Sequence, residues 1–184
     1  SERRLSGHQG RQIRAFAMTP SDLVVSRWGT RFMGRSFPSS IGRGGIVPPA
    51  QKREGDGATP SGIHRIVGML YRPDRITAPA DWALPIGPPD LWSDAPDDPD
   101  YNLMVRAPYA SSHERLRRAD PQYDLVLITD WNWPHAIPGK GSAIFVHTWR
   151  SPRRPTAGCV AFARADLFWI APRITHQTRL IVLP

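Results

Sequence analysis

Twenty prolines and fifteen glycines are spread so evenly through the 184 residues that no long helix fits between them. Proline removes a backbone donor and clashes with the preceding turn of a helix, and glycine weakens helix and strand alike. Short strands joined by turns and loops satisfy such punctuation, so the chain is expected to be mainly β with a few short helices. Forty per cent of the residues are hydrophobic, enough for one substantial core but cramped for two. One domain over residues 11–184 is expected, after a polar, patternless stretch, residues 1–10, read as a flexible tail. A monomer is expected.

Local patterns assign the elements. Residues 11–18 and 22–28 read as a hairpin turning at Thr19-Pro20-Ser21, and residues 41–62 as irregular loop. Strands are expected over 63–70, 123–129, 142–147 and 179–183, the second of these a buried apolar run. Residues 111–119 read as a short helix. A second helix carries Leu167, Ile170, Ala171 and Ile174 on one face and is ended or kinked by Pro172. The acidic stretch from Asp94 to Asp100 hints at calcium, but its prolines and missing central glycine break that loop pattern, leaving an acidic surface loop.

The balance of 24 basic against 16 acidic side chains gives +8, a surface that attracts polyanions. Nucleic acid and envelope polymers both qualify on charge, and no basic-aromatic recognition motif supports nucleic acid. No apolar run approaches the roughly 18 residues needed to span a bilayer. The start, Ser1-Glu2-Arg3-Arg4, has no apolar signal core and no initiating methionine, which suits a trimmed chain or a mature exported protein.

Cys159 is the only cysteine, so no internal disulfide can form. A lone thiol packs as a small hydrophobe or reacts. Here it follows the turn-prone Pro155-Thr156-Ala157-Gly158, where backbone N–H groups can converge on an oxyanion. Upstream, the apolar run Ala143-Ile144-Phe145-Val146 ends in His147. An imidazole that takes the thiol's proton, or pairs with the thiolate as imidazolium, makes such a cysteine a nucleophile. The pair points to acyl transfer.

Three motifs, in order, resemble the YkuD-type L,D-transpeptidase family over roughly residues 42–183: Arg53-Glu54-Gly55-Asp56-Gly57-Ala58-Thr59-Pro60-Ser61-Gly62, Gly141-Ser142-Ala143-Ile144-Phe145-Val146-His147, and Pro155-Thr156-Ala157-Gly158-Cys159-Val160. Each alone is weak, whereas the ordered set is specific. The resemblance implies a catalytic β-sandwich without a cofactor, in a periplasmic bacterial enzyme that remodels peptidoglycan stem peptides. It implies that Cys159 attacks a stem-peptide carbonyl, forms a thioester and yields the acyl group to an amine of a second stem. It further implies that His147 is the base and that the turn at Thr156, Ala157 and Gly158, with the Cys159 N–H, supplies oxyanion contacts.

The chain departs from the family pattern at Ala161, where many members carry arginine, and in the short interval between His147 and Cys159. Arg150, Arg153 and Arg154, in that interval, are expected to replace the missing arginine as contacts to the donor carboxylate. A branch with valine then alanine after the cysteine resembles this chain and implies crosslinks from the first-position L-alanine to diaminopimelate, rather than between two diaminopimelates. Trp131, Trp133 and Trp149 flank the histidine strand, where aromatic side chains can line a substrate groove or simply pack. Trp131, Trp149 and Asn132 are taken as substrate-binding candidates.

Water resolving the same thioester would make the protein an L,D-carboxypeptidase or endopeptidase. A metal site from His135, His147 and Cys159 lacks any supporting spacing. A noncatalytic envelope-binding module would rest on the charge alone.

Overall fold

The computed structural model describes residues 17–184. Among them, the spine of a ten-stranded sheet runs Arg35–Phe37 (β3), Gly29–Phe32 (β2), Leu23–Ser26 (β1), Arg179–Val182 (β15), Gly62–Tyr71 (β7), Leu125–Thr129 (β12), Phe145–Thr148 (β13), Val160–Phe162 (β14) and Ser39–Ser40 (β4), with Leu84–Pro85 (β8) beside β7. Its two end strands, β3 and β4, are consecutive in the chain with only Pro38 between them. The sheet therefore curls until its ends meet, and the Thr30 and Ser39 hydroxyls bond at 2.8 Å across the seam. The barrel is thus near-closed, its edges brought together although no backbone ladder joins β3 to β4. A three-stranded sheet of Met104–Arg106 (β10), Asp90–Ser93 (β9) and His113–Arg115 (β11) packs beside it, and Ile46–Val47 (β5) pairs with Thr59–Pro60 (β6).

The central strand β12 shows why the sheet has two covered faces. All five of its residues are buried. Because side chains alternate along a strand, Leu125 and Leu127 enter one core with Val146, Val160 and Phe162. Val126 and Ile128 enter the other with Trp92, Leu116, Tyr123, Phe145 and Cys159. Such uninterrupted apolar runs belong to strands covered on both sides.

The first core is capped by Arg164–Ile170 (α1), which follows β14 almost directly. Seven residues are too few for an independent helix, so packing of Leu167 and Ile170, both 0% exposed, holds it in place. Asp166 in its first turn suits the helix dipole, and Arg164 bonds the buried Asp124 at 2.8 Å. Pro172 lies in the 3-10 turn that ends the helix, as the sequence predicts.

The expected strands over 22–28, 63–70, 123–129 and 179–183 correspond to β1, β7, β12 and β15. Three local expectations change. The segment 111–119 holds strand β11 instead of a helix, because Glu114 pairs with Trp92 of β9 and Leu116 buries completely behind it. Partners in space have overridden a local helical pattern. The strand expected over 142–147 becomes regular only at Phe145, since Gly141 and Ala143 sit at φ of 107° and 53°. The hairpin strand expected over 11–18 lies mostly outside the described residues. Ala17 and Met18 are not in a strand, and both edges of β1 are already filled by β2 and β15.

Candidate active site

Strands β13 and β14 are parallel neighbours in the register Val146 to Val160 and His147 to Ala161. Val146 and Val160 face the first core, so Phe145, His147, Cys159 and Ala161 face the other side. Cys159 thus stands diagonally beside His147 on one face. Both side chains open into a cavity of about 450 Å³ between the large sheet and the three-stranded sheet.

The histidine is held as a neutral base. Its Nδ1 lies 2.7 Å from the Thr148 carbonyl oxygen, which can only accept, so Nδ1 carries the proton and Nε2 presents a lone pair. Burial lowers its pKa to about 4, against a smaller raising effect of the Thr148 bond. Tyr123 meets the imidazole edge-on at 5.3 Å.

The nucleophile candidate is also uncharged. Cys159 is 8% exposed, and its Sγ donates to the Ala143 carbonyl at 3.1 Å while accepting from the Phe145 N–H at 3.4 Å. The left-handed backbone at Ala143, fixed by an Asn102 Oδ1 bond to its N–H at 2.9 Å, belongs to the same contact. Burial, and after it the charge of Glu114, push the thiol up to about 12. A resting thiolate–imidazolium pair is therefore not formed; of the two activation modes open from sequence, proton removal by the neutral ring fits this site.

The glycine-rich segment acts as scaffold. Gly42 N–H bonds Thr59 Oγ1 at 2.8 Å, and that hydroxyl donates to the Gly158 carbonyl at 2.7 Å. Arg43 N–H reaches the Thr156 carbonyl at 2.8 Å, and Thr156 N–H reaches Ile41 at 3.0 Å. Gly158 has φ of 143°, and a side chain there would meet the Ala58 carbonyl at 2.9 Å. Asp56 ties the same segment together, accepting from the Arg53 and Ala58 N–H groups and pairing with the buried Lys52 at 2.5 Å. The Gly158 N–H is itself bonded to Thr156 Oγ1 at 3.0 Å, so Thr156 and Gly158 shape the turn with their own donors occupied.

Charge divides the cavity wall. Thr156, Ala157, Gly158, Arg150 and Arg154 line it, together with Arg43, Lys52 and Arg118. Glu54, Asp94, Glu114 and Tyr123 also line it, and the sequence reading does not anticipate them. A helical reading of 111–119 hid Glu114, and Asp94 was absorbed into an acidic surface loop. Four expected residues are placed elsewhere. Arg153, at φ of 59°, lines a separate groove with Trp28 and Phe37. Trp131 packs on His64 and bonds the Lys140 carbonyl, while Asn132 uses its amide to hold Ile137 and Gly141. Trp149, half-buried, continues the sheet through its N–H to Phe162 and does not line the cavity. His135 is exposed and away from the cavity wall, and among the described residues no three His, Cys, Asp or Glu side chains group to hold a metal.

No curated protein and no solved structure matches the chain. The family model for the YkuD L,D-transpeptidase catalytic domain matches residues 23–182, from the first strand of the barrel to the last. That span contains the cysteine–histidine face, the glycine scaffold and the charged cavity as one unit. The chain belongs to the YkuD family of L,D-transpeptidase catalytic domains, cysteine enzymes that act on peptidoglycan.

Proposed function

We propose that this protein crosslinks peptidoglycan stem peptides through a thioester on Cys159, with His147 as the base. One observation carries the reading: the thiol and a neutral imidazole with its Nε2 lone pair free for the task share one face of adjacent strands and open into one cavity. As Sγ attacks the donor carbonyl, Nε2 takes the thiol proton and later returns it to the leaving amine. The Cys159 N–H receives the developing oxyanion. Arg43, Arg150 and Arg154 bind the donor's carboxylates.

The finer specificity follows from Ala161. It stands in register with His147, so a family arginine at that position would lie beside the base. A fully buried methyl stands there instead, and the cavity's contacts for a carboxylate come from Arg43, Arg150 and Arg154, which supports the linkage from L-alanine to diaminopimelate. The setting is the bacterial envelope, reached by export to the periplasm, and the working form is a monomer. No helix among the described residues is long and apolar enough to cross a membrane.

Defined muropeptides incubated with the wild type and with Cys159→Ala test the reading by mass spectrometry. A cysteine-dependent dimer is expected, with fragmentation placing the new bond at L-alanine. Cysteine-dependent shortening without a dimer would replace transfer by hydrolysis, and turnover by the alanine variant would remove Cys159 from the chemistry.

A further inference from the structure

The catalytic cavity has one wall of a different sign. Asp94 directly follows β9, and Glu114 is the middle residue of β11. Glu114 pairs with Trp92, so both side chains leave the small sheet on the same face, and Trp92 packs edge-on against Phe145 at 5.0 Å. Phe145 is the residue whose N–H touches Cys159 Sγ. The small sheet therefore aims Glu114 at the strand that carries the nucleophile's neighbour.

Neither carboxylate makes a salt bridge among the described residues. The basic groups nearby are engaged elsewhere: Lys52 pairs with Asp56, and Arg118 pairs with Asp120 and covers the Tyr123 ring. Tyr123 donates to Glu114 Oε1 at a long 3.4 Å. Asp94 Oδ1 is fully buried and has no hydrogen-bond partner at all. A buried carboxylate oxygen without a partner is costly, and a cationic group supplied by a ligand would satisfy it.

We propose that Glu114, backed by Asp94, is the acceptor subsite: it binds the ammonium group of the incoming stem peptide and removes its proton. The inference rests on the thioester mechanism proposed above and assigns its second half. An amine enters at neutral pH as an ammonium, which cannot attack. The walls formed by Arg43, Arg150 and Arg154 repel it, whereas the acidic wall attracts it to the side facing Cys159. One proton passes to the Glu114 carboxylate, and the freed nitrogen lone pair attacks the thioester carbonyl. The C–N bond forms and the C–S bond breaks. The nitrogen's second proton returns through His147 to the sulfur, and Glu114 releases its proton to solvent. Burial, with the charge of Asp94 second, raises Glu114 to about 7, which suits a group that must bind as a carboxylate and accept a proton near neutrality. Hydrolysis needs no ammonium site, so this wall favours transfer over water.

The test uses the full chain, a defined donor muropeptide and two acceptors: a stem peptide with its ammonium, and hydroxylamine, which is uncharged at neutral pH. Intact-protein mass spectrometry follows the thioester, and product analysis follows transfer. In Glu114→Gln, transfer to the stem peptide relative to hydroxylamine is expected to fall roughly a hundredfold, the scale of a lost general base. Asp94→Asn should give a smaller fall in the same ratio, and Glu114→Asp should restore part of it. A misfolded variant loses both acceptors together; an unchanged ratio in Glu114→Gln and Asp94→Asn overturns the acceptor subsite. Failure of the wild type to form any thioester sinks the parent mechanism instead.

Discussion

The two faces of the central sheet are built from the same strands and do opposite work. On the helix face, Leu125, Leu127, Val146, Val160 and Phe162 meet Leu167 and Ile170 in an unbroken apolar layer. On the cavity face, the same strands offer Phe145 and Ile128 but then His147 and Cys159, with Tyr123 and Glu114 opposite. One residue of offset along β13 separates a side chain that stabilises from one that reacts. The helix face holds the register, and the cavity face can then place titratable groups in surroundings that keep thiol and imidazole neutral.

The sharpest way to break this division is at the scaffold joining the faces. In Gly42→Ala the new methyl would sit 2.1 Å from the Gly57 carbonyl oxygen and 3.0 Å from Gly158 Cα, so the backbone beneath Cys159 must move. Turnover is expected to fall by about a hundredfold or more, the effect of roughly an ångström of misplacement, with a stability loss of about 1–3 kcal/mol. Steady-state rates alongside urea unfolding check this; wild-type turnover in that variant removes the glycine scaffold from the account.

Next in size, Leu167→Ala probes the other face alone. It should lower stability by about 2–5 kcal/mol while leaving turnover per folded molecule near wild type. Loss of turnover at low temperature, where the fold persists, would show that the faces are not independent.

The smallest effect is a pH dependence in which two buried groups partly cancel. His147 has its pKa lowered from 6.5 to about 4, so between those values the unfolded chain binds the extra proton and stability falls as pH falls. Glu114 is raised from 4.5 to about 7, so the folded chain keeps a proton that the unfolded chain has lost, and stability falls as pH rises through that window. Each slope corresponds to about 3 kcal/mol at most, and they oppose each other between pH 4.5 and 6.5. The buried His64, whose pKa desolvation also lowers, adds to the His147 side, so wild-type urea midpoints should fall modestly on acidification through this window. Relative to the wild type, Glu114→Gln should lose stability on acidification and His147→Ala should lose it as pH rises; differences from the wild type that do not change with pH would show that neither group is buried as described.

Much of this was readable from the chain because the signals were local. The buried run at 125–129 and the helical spacing of Leu167, Ile170 and Ile174 need no partner to be recognised. Cys159 and His147 stood out because each ends or follows a distinctive short segment. Glu114 was invisible for the opposite reason: its segment becomes a strand only by pairing with Trp92 more than twenty residues away, and alone it looks helical. Arg153 shows a third limit. It sits between two residues that line or lead to the cavity, yet a left-handed backbone turns it outward, and composition carries no record of that φ.

The contact between Thr59 and Gly158 joins residues 99 positions apart and lies buried beneath Cys159. Loop closure over such a span is slow relative to local structure formation. The reactive geometry therefore exists only once this long-range closure has been made. A nascent or partly unfolded molecule carries an ordinary thiol with no base beside it, so chemical competence itself reports that folding is complete.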